Sequence, residues 1–123
     1  MRGISMHRVL LVLDSEDLST VLHKELSENF EVKVSDATTA VDMIDHYQPD
    51  ALILDLFLPS TDGFQILQHA IYNTPSIILL TVLVSTDILQ QATNLNIDHI
   101  FLKPFKLSTL TIRLYELLCV DVK

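Results

Sequence analysis

Four polar side chains stand where apolar runs end. Asp14 follows RVLLVL, Asp55 follows ALIL, Thr81 follows IILL, and Lys103 follows HIFL. Two carboxylates, a hydroxyl and an ammonium are the parts of a phosphoryl-handling site. Carboxylates a few ångströms apart repel each other, and a hard cation relieves that repulsion. Mg²⁺ takes carboxylates, backbone carbonyls and water, and typically binds beside phosphate. A carboxylate next to such an ion can act as nucleophile toward phosphorus and give an aspartyl phosphate. The cation, a lysine and a hydroxyl would then neutralise the phosphoryl oxygens. Only two glycines occur, Gly3 and Gly63, so the glycine-rich loops that cradle nucleotides are absent. The set suits a chain that takes a phosphoryl group onto itself.

These residues meet only if the runs before them lie side by side. Five short apolar runs recur about every two dozen residues, at 9–13, 31–34, 51–54, 77–80 and 99–102. The first, third and fourth are continuously apolar, as in a strand covered on both faces. The second, EVKVS, alternates, as in an edge strand with one wet face. Helical stripes lie between and after them. Leu18, Val21, Leu22 and Leu26 form the first, with Ser15 or Asp17 as cap. Ala40, Val41 and Ile44 form the second, ending before Pro49. Phe64, Ile66, Leu67 and Ile71 form the third, ending before Pro75. Ile88, Leu89, Ala92 and Leu95 form the fourth. Leu107, Leu110, Leu114 and Leu117 form the fifth.

Strand and helix thus alternate five times. That order predicts an α/β three-layer sandwich with a five-stranded parallel sheet and helices on both faces. The expected strand order is 2-1-3-4-5, the flavodoxin-like arrangement. Ligands then bind beyond the carboxyl ends of the strands, at the mouth of the first and third. Asp14 and Asp55 are delivered there, with Thr81 and Lys103 at the neighbouring strand ends.

Composition bounds the alternatives. The chain has 123 residues, room for one domain. Hydrophobic residues make up 49%, which excludes intrinsic disorder. The formal net charge is −8, so the surface repels phosphate backbones and argues against direct nucleic-acid binding. The apolar run 77–84 is too short to span a bilayer. One cysteine, Cys119, excludes an internal disulfide and a thiolate zinc cluster and suggests a reducing, cytoplasmic setting. It is expected to be inert or partly buried near the end of the last helix. The five histidines show no i, i+4 ligand pair.

The stretch LILDLFLPSTDGF, residues 52–64, has an aspartate, a proline four later and Asp-Gly three beyond that. Together with RVLLVLD, IILLT and LKPF it resembles the receiver domain of bacterial two-component response regulators over about residues 7–118. The ends, 1–6 and 119–123, are expected to be loose. The tail HIFLKPF looks most like sporulation-type receivers. The resemblance implies Asp55 as phosphoacceptor, Asp14 as direct Mg²⁺ ligand and Phe57 as donor of a backbone carbonyl to the metal. It implies Thr81 as the switch hydroxyl and Lys103 as the site lysine, with a cis peptide to Pro104. Pro59 and Gly63 match the loop and helix-start positions, and an ordinary turn glycine is compatible with the latter.

Four departures from the family pattern stand out. Leu13 replaces the first acid of the usual pair, and Ser15 a further acid. Mg²⁺ is then expected to bind more weakly, while Glu16 and Asp17 begin the first helix. Val82 replaces a small residue after the switch threonine, where it narrows the pocket or merely extends the strand. Ile100 holds the place of the switch aromatic. His99 and Phe101 flank it and point to the opposite face. Asn96-Ile97 stands for Gly-Ala, and asparagine tolerates the left-handed conformation a helix ending needs.

The resemblance implies a phosphoacceptor in a two-component or phosphorelay system, not an enzyme beyond its own phosphorylation and dephosphorylation. Its partners would be a histidine kinase or phosphotransferase protein. The alternative is a degenerate receiver that binds partners without phosphorylation. The face of helix 4, strand 5 and helix 5 would carry Leu83, Val84, Ile100 and the fifth-helix leucines, and is a candidate homodimer surface. A phosphatase of similar topology wants a second aspartate where Phe57 stands. A flavodoxin wants a glycine-bearing loop where LDSEDLST stands. The domain is expected either to stand alone or to belong to a larger regulator, with a DNA-binding domain and transcription as the output.

Overall fold

A computed structural model of the chain describes residues 6–97 and 99–119. The element order is β1 Arg8–Val12, α1 Glu16–Leu26, β2 Glu31–Ser35, α2 Ala40–Tyr47, β3 Ala51–Asp55, α3 Gly63–Ala70, β4 Ser76–Thr81, α4 Thr86–Asn94, β5 Ile100–Leu102 and α5 Leu107–Leu117. The five strands form one parallel sheet in the order β2-β1-β3-β4-β5. This is the flavodoxin-like order that the alternation predicts. Of the ends expected to be loose, 1–6 and 119–123, all but residues 6 and 119 lie outside the described residues.

The layers follow from strand alternation. Leu10, Val12, Leu52, Leu54, Ile77 and Leu79 point to one face, where α2, α3 and α4 cover them. Val9, Leu11, Ala51, Ile53, Ile78 and Leu80 point to the other, under α1 and α5. Every residue of β3 is buried, so two-sided cover is complete at the sheet centre. Each leucine or isoleucine so buried contributes about 1.5–3 kcal/mol. β2 lies at the edge, and only Ser35 of its five residues is buried.

Helix ends are fixed by local chemistry. Ser15, not Asp17, caps α1: its side chain accepts the Leu18 amide at 3.1 Å. Glu16 and Asp17 occupy the first turn, where the helix dipole favours negative charge. Asp62 caps α3 and Ser85 caps α4. After α4 the chain turns at Asn96, φ 61°. The Asn96 amide reaches the Thr93 carbonyl at 3.0 Å, and the Ile97 amide the Ala92 carbonyl at 2.8 Å. This paired closure satisfies the last carbonyls of the helix. Asparagine supplies the left-handed turn usually given to glycine.

The expected apolar face differs in detail. Leu83 and Val84 are exposed and Ile100 is half-buried. Leu110 and Leu114, however, are fully buried, because α5 turns them onto the sheet. Leu89, Leu102 and Ile112 are exposed instead. Phe101 packs toward α1 and α5 while Ile100 packs on the α4 side, so the two flank opposite faces as alternation requires. Cys119 is exposed, not partly buried.

Candidate functional site

The site forms at the carboxyl edge because parallel pairing brings all strand ends to one side. Leu54 pairs with Val12, and Asp55 with Leu80. The chain therefore leaves β1 and β3 at the same level, just where strand order reverses. Thr81 pairs with Leu102, which puts Lys103 one residue beyond. The Lys103 amide is held by the Thr81 carbonyl at 2.7 Å. The peptide from Lys103 to Pro104 is cis.

Asp55 is the centre. It is 1% exposed, yet both its carboxylate oxygens are partnered. Oδ1 lies 2.6 Å from the Lys103 ammonium. Oδ2 accepts the Asp14 amide at 2.7 Å. Both contacts are short, as charge-assisted hydrogen bonds are. A buried carboxylate is tolerated only when paired in this way. Lys103 keeps about a fifth of its side chain in solvent, so the pair is reached from outside.

Two clefts reach its partners, one at Asp14 and the other at Lys103. One, of about 870 Å³, runs past Leu13 and Asp14 between α1 and the segments after β2 and β3. The other is an apolar groove beside Lys103, lined by Leu18, Val21, Val82 and Phe105. The Asp14 side chain is exposed at the first mouth. Leu13 lines the same cleft half-buried, packs toward the α1 and α5 layer, and as a leucine offers the mouth no acid. Asp36 borders the same cleft. The Thr39 amide, then the hydroxyls of Thr39 and Thr38, hold its carboxyl below the usual range.

Thr81 is 1% exposed, but its hydroxyl is engaged. It donates to the Leu83 carbonyl at 2.6 Å and accepts the Leu83 amide at 3.1 Å. The sequence places Thr81 beside the other three residues without revealing this partner. Val82 itself is 64% exposed, lies beyond the end of β4 at Thr81, and lines the apolar groove beside Lys103. Phe57 is half-exposed in the loop after β3, where it bridges to Asp62. Gly63 is a residue whose importance the spacing understates: its amide donates to the Leu56 carbonyl at 2.8 Å.

Among the described residues, no group of three or more His, Cys, Asp or Glu side chains gathers. A cation at this edge would rest on Asp14, Asp55, the Phe57 carbonyl and water. Such a sparse, all-oxygen set suits Mg²⁺, which keeps much of its water, better than a transition metal.

The comparisons agree with this architecture. Residues 9–115 match the family model described as the response regulator receiver domain. The chain is 27% identical to the chemotaxis protein CheY4 of Vibrio cholerae, with 92% of this chain and 99% of that one covered and a TM-score of 0.77. It is 26% identical to the HemR receiver domain of Leptospira biflexa, covering 95% and 98%, at TM-score 0.75. The BeF3-activated N-terminal receiver domain of RstA from Klebsiella pneumoniae shares the fold at 24% identity and TM-score 0.79, covering 91% and 98%. Strand order, the buried aspartate–lysine pair and the family match converge. The chain belongs to the response regulator receiver domain family of two-component signalling.

Proposed function

We propose that Asp55 accepts a phosphoryl group from a phosphohistidine partner and that the resulting aspartyl phosphate changes what this domain binds. The observation that carries this reading is the buried Asp55 carboxylate, held between the Lys103 ammonium at 2.6 Å and the Asp14 amide at 2.7 Å, two residues that each line an open cleft. An Asp55 oxygen attacks phosphorus, an O–P bond forms and the donor's P–N bond breaks. The electron pair leaves on the imidazole nitrogen, which takes up a proton. Lys103 neutralises the added charge. Thr81 exchanges its bond to the Leu83 carbonyl for one to a phosphoryl oxygen.

Mg²⁺ fits the oxygen set of Asp14, Asp55 and the Phe57 carbonyl, and when bound it supplies charge stabilisation to the phosphoryl oxygens. Leu13 leaves one carboxylate fewer than the family pattern, so binding is weaker than in a receiver with the full acidic pair. The chemistry stops at the domain's own phosphorylation and dephosphorylation. The donor is a histidine kinase or a phosphotransferase protein. The unit that does this spans residues 7–118 and works in the cytoplasm, with control of transcription as the output. A second copy of the chain is a further partner, through the exposed residues Leu83, Leu89, Leu102 and Ile112. Sedimentation showing only monomer at high concentration removes that last part.

One observation favours a second reading. Both Asp55 oxygens already have protein partners, and Leu13 leaves the cleft one carboxylate fewer. The carboxylate is thus paired by the protein's own groups, which suits a phosphorylation-independent binding module. Intact mass after incubation with Mg²⁺ and acetyl phosphate separates the two. The first reading predicts one phosphoryl adduct on the parent and none on Asp55→Asn. No adduct on the parent leaves the second.

A further inference from the structure

Gly63 does not have the backbone that usually demands glycine. No glycine among the described residues has positive φ. It opens α3 as an ordinary helical residue, so a turn requirement does not explain it. Space does. A Cβ built there would stand 2.6 Å from the Asp55 carbonyl oxygen and 2.7 Å from both the Cα and the carbonyl oxygen of Leu56. All three atoms are backbone, so no side chain can swing aside.

We propose that Gly63 is a positioning residue for the phosphoacceptor: its missing side chain lets the start of α3 press against the Asp55–Leu56 backbone and fix the Asp55 carboxylate. Four contacts close this unit. The Gly63 amide donates to the Leu56 carbonyl at 2.8 Å. The Leu56 amide donates to the Leu80 carbonyl at 2.9 Å. Asp62 accepts the Phe64 amide at 2.9 Å and bridges to Phe57. The loop carrying Phe57 is therefore clamped at both ends, to β4 behind and to α3 ahead. Any side chain at position 63 pushes the Asp55 backbone away, and the carboxylate shifts against Lys103 and the Asp14 amide.

The effect on phosphoryl transfer rests on the reading of Asp55 above, but the positioning has a readout that needs neither phosphate nor metal. The Asp14 amide, 2.7 Å from Asp55 Oδ2, reports the carboxylate position by its proton shift in the metal-free protein. In Gly63→Ala the shift is expected to move upfield, toward its value in Asp55→Ala. Phosphorylation by acetyl phosphate should slow by about tenfold to a hundredfold, since a misplacement of about 1 Å can cost about a hundredfold. Leu118→Ala, a core truncation at the end of α5, should lower stability and leave the Asp14 amide in place.

A folded Gly63→Ala with an unmoved Asp14 amide overturns the inference. So does an equal shift in Leu118→Ala, which would mean general loosening. If Gly63→Ala does not fold, Asp62→Ala decides. Releasing the cap of α3 without filling space should speed exchange of the Gly63 amide and move the Asp14 amide in the same direction. An unmoved amide there also overturns it. If the parent takes no phosphoryl group while the amide responds, the positioning stands and the phosphoacceptor reading falls.

Discussion

Replacing Lys103 with methionine removes the ammonium and keeps most of the stem. At 2.6 Å the attraction to Asp55 is about 6 kcal/mol in an effective dielectric of about 20. Removing one partner of a buried pair costs about 3–5 kcal/mol, because the other charge is left behind. Asp55 would keep the Asp14 amide, and Lys103 is one-fifth exposed, so water screens part of the loss. The lower end, about 3 kcal/mol, is therefore expected. With a slope near 1.5 kcal/mol per molar of urea, the midpoint should fall by about 2 M. The chain has no tryptophan, so far-UV circular dichroism is the suitable probe. The same change in an Asp55→Asn background should cost less than about 1 kcal/mol, since no stranded carboxylate remains. An equal cost in both backgrounds would refute the argument that this ion pair neutralises Asp55.

Other expected outcomes bear on different parts of the structure. The Tyr47 hydroxyl donates to the Glu31 carbonyl at 3.0 Å, and burial first, then the Glu31 side chain, pushes its phenol well above the ordinary value of 10.0. A raised folded-state value gives stability that is full below about pH 10 and is lost as pH rises beyond it. Tyr47→Phe should thus cost about 1 kcal/mol at pH 8 and little at pH 11, by urea unfolding at each pH; a constant difference contradicts this. Asn96 sits at φ 61°, so Asn96→Ala should destabilise by about 1 kcal/mol while Asn96→Gly is neutral or better, read from the melting temperature. Asp14→Ala should weaken the response of backbone amide shifts to Mg²⁺ by tenfold or more, and an unchanged titration would take Asp14 out of the metal site.

Much of this was legible because one-dimensional pattern and three-dimensional burial coincide in a doubly wound sheet. Continuous runs in LLV, ALILD and IILLT mark β1, β3 and β4, buried on both faces, while EVKVS alternates at the wet edge. Ser15 and Asn96 could be read because caps and left-handed turns depend on local residue type. What escaped depends on the path the chain takes in three dimensions. Leu13 belongs to the run of β1, yet lies past its end at Val12 and packs toward α1 and α5. Thr81 is recognisable as a strand-end hydroxyl, but only the path of the following loop gives it to Leu83. The leucine stripe of α5 reads equally well as core or interface, and the sheet takes Leu110 and Leu114. Gly63 looks like a turn residue until the Asp55 carbonyl is seen behind it.

On the reading proposed above, Asp55 is where the phosphoryl group arrives. The direct test is acetyl phosphate treatment with Mg²⁺, borohydride reduction of the aspartyl phosphate, and peptide mapping by mass. Reduction at Asp55 alone, lost without the phosphodonor and absent in Asp55→Asn, is the predicted result. An unmodified Asp55 peptide, or trapping at another carboxylate such as Asp14, would contradict it.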